Sequence, residues 1–240
     1  MKKLIVLAMM LTMTTTLFAD NMVLNYFKKW VDETKVESAI SDMILTRFIS
    51  DLPKEYSVSE DSVLSANFEA YADKCGFKKT YTPKVMIVNC DVPDEILLPG
   101  GVLILTKGYL DYAKKAEQRE FILARNAFLM VRKQPLAAIK HNGMYPKFLD
   151  FLKTPEAKRT IENSRDLVRQ YLKSLPEMNH KQADVQGALI TLSPENTRKA
   201  AIELLSNFSV RIWPPLPFDT VDLPSRINEL ENIKLPEQKL

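Results

Sequence analysis

The chain has 240 residues, 46% apolar and 26% charged, with only 6 glycines. These values exclude collagen-like, low-complexity and intrinsically disordered chains, and the length predicts a single domain. The formal charge is +3, or +1 without Lys2 and Lys3 (33 basic residues less two, against 30 acidic), which gives no electrostatic case for nucleic acid.

The N-terminus reads as an export signal. Lys2 and Lys3 precede an apolar run from Leu4 to Met13, and Thr14 to Ala19 leads to polar sequence at Asp20. A charged start, an apolar run of about 10–15 residues and a small final residue form a secretory signal, here residues 1–19. The run is shorter than the roughly 20 residues of a membrane span, so an uncleaved anchor is the lesser alternative. The mature chain, 20–240, carries no later membrane-spanning stretch, and the expected location is the bacterial periplasm. In that oxidising compartment Cys75 and Cys90, the only cysteines, are either a disulfide, stabilising by roughly 3 kcal/mol, or two separate buried thiols. The only histidines are His141 and His180, too few for a multi-histidine metal site.

The mature N-terminal part, 20–76, reads as helices. Val23, Phe27, Trp30 and Val31 recur at helical spacing, as do Ile40, Ile44 and Phe48, and Pro53 closes that segment. Another helix is predicted from Ser59, turning Val63, Leu64, Phe68 and Tyr71 toward a core and ending near Gly76. The period then changes. Lys84 to Asn89 reads as a short strand. Ile96 to Leu98 and Val102 to Thr106 read as two strands around Pro99-Gly100-Gly101. Helices are predicted over Tyr109 to Lys115 and Glu117 to Lys133, the latter stopped by Pro135, with His141 in a solvated loop. Further helices cover Pro155 to Leu175, His180 to Thr191, Pro194 to Phe208 and Pro224 to Ile233, each proline in a first turn. Trp213 to Pro217 is a rigid extended connector. The class is α+β, mostly α-helical, in one domain.

Four segments in order carry a family resemblance. Leu98 to Gly108 (LPGGVLILTKG) resembles the N-A-x-x-x-P-G-G-x-I-x-V-x-x-G signature of the CAAX-prenyl-protease/HtpX-like zinc metallopeptidases, soluble periplasmic BepA-like branch. Gln118 to Lys133 stands where that family has its HExxH helix, and Leu123-Ala124 match the residues before the motif. His180-Lys-Gln-Ala-Asp184 with Gly187 resembles E-x-x-A-D-x-x-G. Leu223-Pro-Ser-Arg-Ile227 resembles the C-terminal L-P-E-R-I segment. The resemblance covers 80–232. It implies a zincin-like fold, with a small mixed sheet packed on the central helix.

The resemblance also places what is missing. The zinc-binding histidines fall on Arg125 and Leu129, the catalytic glutamate on Asn126, the third ligand on His180, and the C-terminal histidine on Thr220. The aspartate that supports the zinc site in relatives falls on Asp184. Zinc hydrolysis needs three protein ligands, an open position for water and a base. Leu129 has no donor atom, Arg125 has no lone pair to offer, and Asn126 is no base near pH 7. No zinc or other cofactor is therefore expected. The helix is apolar nearly all round, so Arg125 at its centre either needs an acidic partner, for which Asp184 is the candidate, or reaches a surface groove.

The reading is a pseudopeptidase of the cell envelope, binding or regulatory, in envelope protein quality control. In active relatives the strand after the PGG turn pairs with extended substrate. Gly100, Gly101, Val102, Leu103, Ile104, Leu105 and Thr106 are thus expected to keep an edge for an extended peptide or an envelope protein. Two alternatives stand beside it. One is an active zinc peptidase rebuilt from His180, His141 and carboxylates such as Glu177. The other is a structural subunit whose cleft is packed shut by Arg125, Phe128 and Leu129.

Overall fold

The computed structural model describes residues 33–155, 160–175, 178–210 and 222–235. The export signal, the helical pattern at Val23 to Val31, and the Trp213 to Pro217 connector lie outside the described residues, as do Glu177 and Thr220.

The order of elements is α1 (33–51), β1 (Val58–Glu60), α2 (Ser62–Lys74), β2 (Lys84–Val88), β3 (Glu95–Leu97), β4 (Val102–Thr106), α3 (Lys107–Tyr112), α4 (Ala116–Val131), α5 (Gln134–His141), α6 (Tyr145–Lys153), α7 (Ile161–Ser174), α8 (His180–Leu189), α9 (Pro194–Val210) and α10 (Leu223–Glu231). The protein is mostly helical with one small mixed sheet, as the α+β reading requires. One apolar core runs from Ile40 on α1 to Leu230 on α10. Among the described residues no helix is long and apolar enough to cross a membrane.

The sheet order is β1-β2-β4-β3. β2 and β4 run parallel, with Lys84 opposite Val102 and Val88 opposite Thr106. β1 and β3 are antiparallel to their neighbours. The Pro99-Gly100-Gly101 turn joins β3 to β4 as expected. Gly101 has φ +84°, and a Cβ there would stand 2.6 Å from the Tyr81 ring, so no larger residue fits. The side of β3 away from β4 is closed. The Tyr171 hydroxyl on α7 donates to the Leu97 carbonyl, and the Glu95 amide donates to its neighbour Asp94 at 2.8 Å.

Several boundaries differ from the sequence expectation. Ser59 belongs to a strand, β1, because it pairs with Ile87. The helix instead begins at Ser62, where the Asp61 carboxylate accepts the amides of Val63 and Leu64 at 3.0 and 2.9 Å. Val63 is consequently exposed rather than core. Pro135 does not stop α4, which ends at Val131 before a left-handed turn at Lys133 (φ 53°). Pro135 sits instead in the first turn of α5, a helix that ends on the exposed His141. α7 starts at Ile161, its Thr160 hydroxyl accepting the Asn163 amide at 3.2 Å.

α4 is the centre of the molecule. It packs on α2, α5, α8 and α9, and eleven of its residues, from Gln118 to Met130, are buried. It crosses α8 closely. A Cβ on Gly187 would lie 2.8 Å from the Arg125 backbone nitrogen and 2.9 Å from its Cα, so only glycine permits the approach.

Candidate functional site

That crossing brings together the residues the sequence singled out. Arg125 and Asn126 lie mid-way along α4, His180 and Asp184 one turn apart on α8, and all four are buried. Glu95 enters from β3 and Arg226 from α10, both buried.

Arg125 is the hub, with no exposure to solvent. Its Nη1 is bonded to the Glu95 carboxylate, its Nε lies 3.0 Å from Asp184 Oδ1, and its Nη2 stands 2.9 Å from His180 Nδ1. The partnership with Asp184 is therefore present, and Glu95 is added to it. The Asn126 amide donates to the other Glu95 oxygen at 3.1 Å and to the Ile122 carbonyl at 2.9 Å. Arg226 grips Asp184 with two nitrogens, Nε at 2.5 Å and Nη2 at 3.1 Å. Among the described residues two arginines face two carboxylates, so their charges balance. That balance lets ions sit where water is excluded, at the cost that removing one partner strands another.

His180 completes the set as a neutral imidazole. Its Nε2–H donates to the Leu175 carbonyl at 3.1 Å, and its Nδ1 accepts from Arg125. Burial, then the guanidinium charges of Arg125 and Arg226, hold its pKa down at about 3.

The donor set does not fit a zinc ion. Glu95, Asp184 and His180 each engage a different nitrogen of one guanidinium, and that cation already fills the space between them. Leu129 is buried and apolar. Among the described residues no group of three or more His, Cys, Asp or Glu side chains is placed to hold a metal. His141, at the far end of α5, is not brought to His180.

The proposed substrate edge is corrected. β4 is an inner strand, bonded to β2 on one side and β3 on the other. Val102, Leu103, Ile104, Leu105 and Thr106 are all buried. Gly100 and Gly101 form the turn, with a Gly100 Cβ position 3.2 Å from the Ser38 backbone on α1. The Thr106 hydroxyl caps α3 through the Tyr109 amide and accepts the Asp94 amide at 2.8 Å, so it serves the fold. No segment from Gly100 to Thr106 offers a free edge, because β3, read only as a hairpin arm, covers it.

Cys75 and Cys90 are separate thiols, both half-buried. Cys75 follows α2 within reach of the Arg132 charge at the end of α4, and burial raises its thiol to about 11. The Cys90 carbonyl receives the Gly108 amide at the opposite end of the sheet.

Glu95 and Arg226 were not singled out from sequence. Arg226 was legible: it stands three residues after Leu223 and four before Leu230, on the face of α10 that carries both buried leucines. Glu95 gave one weak sign, an acid opening an apolar run in the place where the quoted family pattern has alanine.

No protein-family model matches the chain, and no curated protein matches its sequence.

Proposed function

We propose that this chain is a catalytically inactive, peptidase-like protein of the bacterial envelope, acting as a structural or regulatory subunit rather than by cutting or holding peptide. The fold reading that goes with it is zincin-like, with a small mixed sheet on a central helix. The observation that supports it is the Arg125 guanidinium, buried among Glu95, His180 and Asp184, at the helix position where the resemblance puts a zinc-binding histidine. Asn126, an amide and no base near pH 7, spends its two N–H donors on Glu95 and Ile122, and Glu95 is in turn engaged by Arg125. Of the two non-catalytic roles, the structural one is favoured. Peptide pairing needs an open strand edge; β4 has both edges bonded, β3 is buried with its Leu97 carbonyl held by Tyr171, and the outer strand β1 is only three residues long and carries the charge of Glu60. The apolar start with its two lysines supports export to the envelope.

The test is metal content of the purified chain by elemental mass spectrometry, with cleavage of unfolded casein on the same sample. No stoichiometric metal and no cleavage are expected. About one zinc per chain, with cleavage lost on chelation, would overturn the reading.

A further inference from the structure

His180 sits where a proton has nowhere to go. Its ring is held between the Arg125 Nη2 on α4 and the Leu175 carbonyl at the end of α7. The groups around it come from every packed element: Arg125 from α4, Arg226 from α10, Asp184 from its own helix, and Glu95 from β3 on the far side of Arg125. His180 is also the first residue of α8, where the helix dipole disfavours a cation. Protonation at Nδ1 would set an N–H against the Arg125 N–H and leave, among the described residues, three cations facing two carboxylates in a buried site. Asp184 offsets this only in part, because Arg226 already holds both its oxygens and burial with the two guanidinium charges outweighs it.

We infer that His180 is an acid-sensitive latch: taking up a proton at Nδ1 expels the ring from between Arg125 and Leu175 and frees the first turn of α8 from the end of α7. The latch is independent of whether the chain ever descended from a peptidase, since it uses only the cluster's geometry. The depressed pKa in the closed state and an ordinary one in the opened state give the size of the effect. Opening is favoured about 25-fold more at pH 5 than at pH 7. The effect is reversible, because no covalent bond changes.

Hydrogen–deuterium exchange of the full chain, corrected for intrinsic rate, tests this at pH 7 and pH 5. Peptides spanning 172–186 should lose protection by roughly that factor at pH 5 and regain it on neutralisation, while α2 and β4 do not change. His180→Gln, whose amide can accept from Arg125 and donate to Leu175 without titrating, should hold the same protection at both pH values. Unchanged wild-type protection at pH 5, or equal loss in His180→Gln, would overturn the latch. Should that variant fail to fold, the His180 ring resonances of the wild type decide. A ring that titrates near the ordinary value of about 6.5 while the fold stays closed overturns it, and one that stays neutral until the junction opens supports it.

Discussion

Two ionic clusters flank α4, and they are built differently. The inner one, around Arg125 and Arg226, is sealed and uses only arginine as its cation. The outer one lies along α5, from Lys133 just before it to Lys140 in its last turn, facing α1. There Lys133 reaches Glu37 at 2.9 Å and Glu33 at 3.4 Å, and Lys140 pairs with Glu33. Its lysine ammoniums remain in contact with water. The guanidinium forks bind several partners in fixed directions, which suits a dry site; the ammonium is a hydrated point charge, which suits a rim. The clusters also respond to pH with opposite sign. Burial pushes the Glu37 carboxyl up, and Lys133 does not fully offset it. That contribution is full at acid pH and fades as pH rises through the raised value. The contribution of His180, whose pKa is depressed, is full above about 6.5 and fades as pH falls.

The largest effect should come from Asp184→Asn. It leaves Arg125 and Arg226 buried with Glu95 as the one carboxylate remaining among the described members of the cluster, and breaking a buried ion pair costs about 3–5 kcal/mol. Urea denaturation at pH 7 measures this, and a loss under about 1 kcal/mol would mean that water enters the cluster. Gly187→Ala comes next. Its methyl group drives into the α4 backbone at Arg125 and should cost about 1–3 kcal/mol, read as a lower Tm with an unchanged fold by circular dichroism. A variant as stable as the wild type would show that α4 and α8 can separate. The smallest effect is at the rim. Lys133→Met should cost about 1 kcal/mol at pH 7 and less at pH 4, where Glu37 carries a proton. An equal loss at both pH values would put the contribution of Lys133 in its apolar stem.

Most elements were legible because their patterns are long and one-sided. α2, α4, α8, α9 and α10 follow helical apolar spacing, and β2 and β4 are short β-branched runs after turn residues. What failed was local. β1 has three residues, too few to show a period, and Ser59, the predicted start of the next helix, pairs instead with Ile87. α5 and α6 are short, and proline at 135 marks a helix start as readily as an end. In the cluster, Arg125 and Asn126 were legible as misfits in an apolar helix, and His180 and Asp184 through the family resemblance. Their convergence with Glu95 was not, because Glu95 is 30 residues away along the chain on an element read as a simple hairpin arm. The substrate edge failed for the same reason: whether a strand is inner or outer depends on what pairs beside it, which alternation along one strand does not record.

With the Leu97 carbonyl held by Tyr171 and the Glu95 amide by Asp94, the edge left for strand-to-strand growth among the described residues is β1. β1 is three residues long, its last two, Ser59 and Glu60, are exposed, and Glu60 places a charge on the rim. Short, charged edges are poor templates for cross-β stacking. The Tyr171 hydroxyl thus seals one backbone acceptor on the outer side of the buried strand β3. Tyr171→Phe would remove that seal without changing the volume of the core.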